Sequence, residues 1–188
     1  MTMRAAALAL ALLAGGCTTP ASPPSTSIVA VRAASAADFP RLALGSFTPS
    51  PALPRGADRA VGLRSVTVTP PNRRSFSQFL GETIDVQLRL AGKLDPASPI
   101  TLSGEMTQTA ANTRIGRANG AIAAIFRLRV GGRTVFEKTL KAEASWNSSF
   151  IGAVAIPNAE REYTALYPKL VETLFQDPDF RAALRTAR

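Results

Sequence analysis

The fold of this chain is decided by the stretch GAIAAIFRLRVGGRTVFEKTLKAEASW, residues Gly120–Trp146. Apolar and polar residues alternate on both sides of Gly131-Gly132, which is typical of two half-buried strands joined by a tight turn. The stretch therefore predicts an antiparallel β-hairpin, with an apolar face toward a core and a polar face toward solvent.

The length of the turn decides which residues of this hairpin lie opposite each other. A two-residue loop mixes the two faces, whereas a three-residue Gly131–Arg133 loop pairs Leu128 with Phe136. We predict the three-residue loop because it keeps the apolar face continuous. Lys138 then points inward, and we expect its ammonium group to reach outward at a sheet edge.

One amphipathic helix is predicted upstream of the hairpin. Ser75 and Gln78 match a capping box, in which each side chain bonds the backbone amide of the other. Apolar residues recur at helical spacing over Phe76–Leu88, so the helix should end near Gly92.

A second amphipathic helix is predicted downstream of the hairpin. Asn158 is a suitable N-cap, and an apolar stripe extends over Tyr163–Leu174. Pro168 lies inside that stripe and predicts a kink, because proline lacks the amide for an intrahelical hydrogen bond. Asp177 is predicted to cap a short final helix.

Three further stretches have strand character: Leu42–Phe47, Val61–Thr69 and Ile100–Thr109. The principal order is therefore strand–helix–three strands–helix. We predict an α+β fold, in which two amphipathic helices pack on one face of a mostly antiparallel sheet.

The first seventeen residues, MTMRAAALALALLAGGC, have the pattern of an export signal. Arg4 precedes an apolar run that is too short to span a bilayer as a helix, and small residues lead to Cys17. The segment Leu13–Cys17 resembles a bacterial lipobox, in which the cysteine thiol carries diacylglycerol. We predict a lipoprotein signal peptide over 1–16 and lipidation of Cys17. The alternatives are an ordinary signal peptide with a chance cysteine, or a buried free thiol.

The segment after Cys17 is rich in proline, serine and alanine. Such a composition is typical of a flexible linker, so residues 17–38 are predicted to be the lipidated cysteine and a tether. Residues 39–188 are then a single α+β domain in the periplasm.

The composition excludes several kinds of site. The chain has no histidine and one cysteine, which excludes histidine bases, zinc sites of the Cys/His type and an internal disulfide. The acidic residues are scattered along the sequence. We therefore expect neither catalysis, nor a metal, nor a cofactor.

The formal net charge is +9, and five arginines gather around the hairpin and the loop before it. They are Arg114, Arg117, Arg127, Arg129 and Arg133. One interpretation is an anion-facing patch for lipid phosphate or lipopolysaccharide. The other is a solvated sheet face, with Arg127 paired to Glu137. Aromatic residues do not alternate with these arginines, so we expect no binding of nucleic acid.

An apolar run without strand or helix periodicity follows the hairpin. It contains Phe150, Ile151, Val154 and Ile156. Loops usually lie at the surface, where an apolar patch commonly marks a contact with a partner or a lipid. The alternative is a loop folded over the core.

Several segments resemble small bacterial envelope lipoproteins of the YajG-like type and, more loosely, the auxiliary lipoproteins of ABC-type transport systems. They are the LLAGGC segment ending at Cys17, LALGSF over Leu42–Phe47, the Gly-Gly hairpin and the apolar pattern from Tyr163 to Leu184. The resemblance implies a compact α+β domain without catalytic residues.

The function expected from these features is that of a non-catalytic, lipid-anchored accessory or binding domain in envelope assembly or transport. The expected location is the periplasmic face of the outer membrane, because Thr18 rather than Asp follows Cys17, and the expected partner is an envelope protein or lipid. The alternative is a periplasmic binding protein for an acidic small molecule, lipid or glycan.

Overall fold

The computed structural model describes residues 18–71 and 74–187, so Cys17 and the predicted signal peptide lie outside the described residues. The elements are β1 (Thr18–Pro20), α1 (Ile28–Ser35), β2 (Ala43–Pro49), β3 (Val61–Leu63), β4 (Val66–Thr69), α2 (Phe76–Leu90), β5 (Ile100–Asn112), β6 (Gly116–Val130), β7 (Arg133–Ser148), α3 (Gly152–Thr164), α4 (Leu166–Gln176) and α5 (Pro178–Thr186). The fold class is α+β, as predicted.

The hairpin of β6 and β7 has the predicted pairing along most of its length. Leu128 lies opposite Phe136, but at the tip Val130 pairs with Arg133. The loop is therefore Gly131-Gly132 alone, with both residues at positive φ, and the predicted three-residue loop is wrong. A β-bulge at Val135 takes up the extra residue and restores the register that buries the apolar face.

The main sheet has the order β2-β5-β6-β7, and it is mixed rather than mostly antiparallel. Its β5–β6 and β6–β7 pairs are antiparallel, whereas β2 lies parallel to β5. A parallel neighbour needs a crossover connection, and α2 provides it. The sequence prediction missed this pair because strand direction depends on the crossover and not on the alternation of side chains.

A second sheet, with the order β1-β4-β3, is also mixed. The predicted single strand Val61–Thr69 is divided into two antiparallel strands by a turn at Arg64-Ser65, where Arg64 has φ 60°. Alternation continues through this turn, so periodicity alone did not reveal it. Strand β1 lies parallel to β4, with Thr18 opposite Thr67.

The predicted flexible tether is wrong for the residues that form β1 and α1. Ser27 caps α1, and its backbone amide donates to Gln87 of α2 at 3.1 Å. The Ala30 and Ala34 side chains are fully buried in the same core as the rest of the domain. The alanine-rich composition reflects close helix packing here, because small side chains let helices approach each other.

Within the described residues there are five helices rather than the two principal helices predicted. Helix α2 matches its prediction, with the Ser75–Gln78 capping box formed and Gly92 at φ 66° just beyond its end. Helices α2, α4 and α5 contact the apolar face of the main sheet, and α1 packs on α2 and α4.

The second predicted helix is divided and begins earlier than expected. Helix α3 begins at Gly152, not at Asn158. Ala155 and Ala159 are buried on the same face as Tyr163, at intervals of four residues, and so extend the buried stripe toward the N-terminus. The chain is interrupted at Ala165, three residues before Pro168, as expected where proline removes a helix amide.

The final short helix has the predicted cap. Asp177 accepts hydrogen bonds from the amides of Asp179 and Phe180. Lys138, on the edge strand β7, donates to Asp177 and Asp179 at 2.7 Å each, so its charge leaves the core at a sheet edge as predicted. This pairing joins the hairpin to the start of α5.

Candidate functional site

The predicted apolar run forms the first turns of α3 and the residues just before it, so its prediction as a loop is wrong. Phe150, Ile151 and Val154 are nevertheless 79%, 62% and 59% exposed, whereas Ile156 is half-buried. Packing over the core is therefore not the role of the first three side chains. Their contact with a partner or a lipid stays a prediction.

Two turns meet this segment at the same end of the domain. Arg64 lies in the β3–β4 turn; its amide donates to Thr113 Oγ1 at 2.8 Å, and its Nη1 donates to the Ser149 carbonyl at 2.6 Å. Thr113 belongs to the β5–β6 turn, which also carries Ile115, 59% exposed. Sequence analysis missed Arg64 and Ile115, although an isoleucine in an otherwise polar turn was a detectable signal.

Strand β1 begins at this end. Because β1 is parallel to β4 and Thr18 pairs with Thr67, Thr18 lies on the side of the β3–β4 turn. We define the anchor-proximal surface, named after the predicted lipid anchor at Cys17, as the side chains grouped here: the half-buried Arg64 and the exposed Arg114, Ile115, Arg117, Phe150, Ile151 and Val154.

The five predicted arginines do not form one patch. Arg117 lies near the start of β6, opposite Asn147, and Arg129 lies near its end, opposite Thr134. Twelve residues of strand separate them, a distance of about 40 Å. Arg114 and Arg117 thus belong to the anchor-proximal surface, and Arg129 and Arg133 to the opposite end.

Arg127 lies two residues before Arg129, near the same end, and is held by acidic neighbours. It donates to Glu137 at 2.7 Å and to Glu105 at 2.9 Å across the outer face of the sheet. Hydrogen bonds from Ser50 and Arg127 lower the pKa of Glu105 below its ordinary value. Glu105 therefore stays ionised and paired, which is unsuited to a general acid.

The described part of the chain, residues 18–71 and 74–187, contains no group of three acidic or thiol side chains placed to hold a metal ion. None of its helices has both the length and the apolar character needed to cross a bilayer.

A cleft of about 590 Å³ lies at the start of α2. Its lining includes Arg55, Arg59 and Arg74. The first amides of α2 are already occupied, because Asp58 accepts from Phe76 and Ser77 and the Ser75 hydroxyl accepts from Gln78. An anion in the cleft would thus meet arginine side chains rather than free helix amides.

Solved structures of other proteins have an architecture similar to that of this chain. Protein XCC0632 from Xanthomonas campestris, of family DUF330, aligns over 85% of this chain and 95% of its own, with a TM-score of 0.55 and 15% identity. This chain has the fold of a DUF330 protein. At that identity the DUF330 likeness concerns the fold alone.

More distant matches include a protein from Caulobacter crescentus provisionally named a lipoprotein, at a TM-score of 0.43 and 15% identity over 57% of this chain and 82% of its own. A minor lipoprotein from Acinetobacter baumannii matches at a TM-score of 0.38 and 11% identity, over 71% of this chain and 90% of its own. None of these three proteins is described as YajG-like. No family model and no curated protein matches the sequence.

Proposed function

We propose that this protein is a non-catalytic lipoprotein of the bacterial envelope, anchored through Cys17 and acting as an accessory or binding domain in envelope assembly or transport. The observation that carries the proposal is the export signal that ends in LAGGC at Cys17. Acyl chains on one residue hold a domain at a membrane when several chains insert together.

Two structural observations support this assignment. Thr18, the residue bonded to Cys17, pairs with Thr67 of β4, so cleavage before Cys17 would retain every residue that the structure describes. Glu105 is paired with Arg127, and Tyr163 and Tyr167 are fully buried, so none of these three groups is placed for acid–base chemistry.

The test uses the Cys17→Ser variant in a bacterial host. Cys17 is the only cysteine of the chain, so the variant should incorporate no radiolabelled palmitate and should leave the membrane fraction. Thr18→Ser is the matched control, since it changes the neighbouring residue and keeps the thiol. Undiminished labelling of Cys17→Ser would refute the anchor.

The location proposed is the periplasmic face of the outer membrane. Thr18 is exposed on β1, so Thr18→Asp should be tolerated by the fold. By the sorting rule of enteric lipoproteins, the aspartate should move the protein to the inner membrane on a density gradient. An unchanged distribution would contradict this location.

A second candidate function is the binding of an acidic small molecule, and the arginine-lined cleft favours it. Inorganic phosphate should then raise the melting temperature of the wild type more than that of Arg55→Ala/Arg59→Ala. Arg129→Ala/Arg133→Ala, at the far end of the hairpin, is the control with the same loss of charge. Equal shifts in both variants would exclude the cleft as the site.

A further inference from the structure

We propose that the anchor-proximal surface lies directly on the bilayer that holds the Cys17 lipid, with its apolar side chains among the head groups and its arginines at lipid phosphates. This inference rests on the proposed lipid anchor. It goes further because it assigns a membrane-binding site and a fixed orientation to the folded domain.

Exposed apolar side chains are concentrated at one end of the domain. Of the seven large hydrophobic residues most exposed in the described chain, four belong to this surface: Ile115, Phe150, Ile151 and Val154. Single exposed apolar residues are ordinary, but a group of them rimmed by cations is typical of contact with a membrane interface.

The arginines of this surface lack carboxylate partners. None of the ion pairs in the described residues involves Arg64, Arg114 or Arg117, whereas Arg127, three residues from the end of β6, is paired with two carboxylates. Arginine presents its donors in a planar fork that matches phosphate. Arg114 and Arg117, both exposed, are therefore available to anionic lipid, whereas the Arg64 guanidinium is half-buried and donates to the Ser149 carbonyl.

The proposed anchor at Cys17 is attached to the chain close to this surface. Thr18 pairs with Thr67, about one strand spacing of 4.8 Å away, and Thr67 is three residues from Arg64, at most about 10 Å of extended chain. Cys17 is bonded to Thr18. A lipid on Cys17 is therefore tied to the domain beside Arg64, with no long linker between them.

The short connection between Cys17 and the domain lowers the affinity for the bilayer that the surface needs. Once the lipid is inserted, contact between the surface and the bilayer is an intramolecular event at high effective concentration. A few apolar side chains and two exposed arginines, too weak to recruit a free protein, are then sufficient to hold the domain flat on the membrane.

The experiment measures the depth of single residues in the bilayer. The lipidated protein is reconstituted into phosphatidylethanolamine–phosphatidylglycerol vesicles that contain a doxyl-labelled lipid as quencher. Acylation occupies the thiol of Cys17, so a cysteine introduced as Phe150→Cys is the only free thiol and takes an environment-sensitive fluorophore. Phe150 is 79% exposed, so the variant should fold, and an unchanged melting temperature checks this.

Leu90→Cys is the matched control. Leu90 is also an exposed apolar residue, 60% exposed, but it lies at the end of α2. The chain after α2 passes beside the β6–β7 turn, where the Gly131 amide donates to the Pro99 carbonyl, so Leu90 is at the opposite end of the domain. We expect quenching by the doxyl lipid to be several-fold stronger for the probe at position 150.

A second pair of variants tests the arginines. In the Phe150→Cys background, Arg114→Glu/Arg117→Glu should reduce quenching several-fold and make it insensitive to the phosphatidylglycerol content. Arg129→Glu/Arg133→Glu carries the same change of charge at the far end and should leave quenching unchanged.

Equal quenching at positions 150 and 90 in protein shown by mass to be lipidated would overturn the inference and leave the lipid anchor standing. A probe at 150 that is shielded without doxyl quenching would indicate contact with a second copy of the chain, and would overturn it as well. Absence of lipid on the purified protein would remove both proposals.

Discussion

Raising the pH should unfold this protein, because both of its tyrosines are fully buried and a buried hydroxyl resists ionisation. Burial raises the pKa of Tyr163 to about 12 and that of Tyr167 well above its ordinary value. The hydroxyls form one chain of donors: Tyr163 donates to Thr109 at 3.0 Å, and Thr109 donates to the Ala57 carbonyl. Tyr167, 3.4 Å from the Tyr163 oxygen, is left to donate to it.

The sign of the effect follows from the raised pKa. Tyrosine in the unfolded chain ionises near pH 10, whereas Tyr163 in the folded protein holds its proton to about pH 12. The full contribution of the neutral tyrosine is present below pH 10 and is lost as the pH rises through 12. At about 1.4 kcal/mol per unit, Tyr163 alone removes about 3 kcal/mol from the free energy of unfolding, and Tyr167 adds to the loss.

The assay follows tyrosinate absorbance and far-ultraviolet circular dichroism on the same samples as the pH is raised. We expect tyrosinate to form only as the secondary structure is lost, in one coincident transition. The Tyr163→Phe/Tyr167→Phe variant should unfold at a higher pH, and it retains every lysine, so the difference isolates the tyrosines. Tyrosinate forming near pH 10 with native dichroism would refute the buried hydroxyl chain.

Two further predictions concern packing. Leu128→Ala, at a fully buried position, should lower the free energy of unfolding in urea by about 2–5 kcal/mol. Arg127→Ala should lower it by about 1 kcal/mol at most, because solvent screens its ion pairs. The reverse order of these two costs would contradict the register of the hairpin. Gly104→Ala should cost about 1–3 kcal/mol, since a Cβ at Gly104 would lie 2.6 Å from the Phe47 ring. Adding Phe47→Ala should remove most of the penalty of the Gly104 change, and additive costs would show that the ring does not fill that space.

The sequence by itself determined the local elements whose signals are local. The capping box at Ser75 depends on residues three apart, and the proline at position 168 acts on its own turn, so both were predictable. The pairing of Leu128 with Phe136 was predictable because only one register buries the apolar face of both strands. The predicted lipobox at Cys17 likewise depends only on adjacent residues.

Only the tertiary structure decided the features that depend on neighbours distant in sequence. Ala30 and Ala34 have the composition of a linker, and burial against other helices makes them part of the core. The parallel pairing of β2 with β5 depends on the crossover through α2. The anchor-proximal surface brings Arg64, Ile115 and Phe150 to one end although many residues separate them in the chain. A pattern of side chains records which face is buried, but it does not record which distant face covers it.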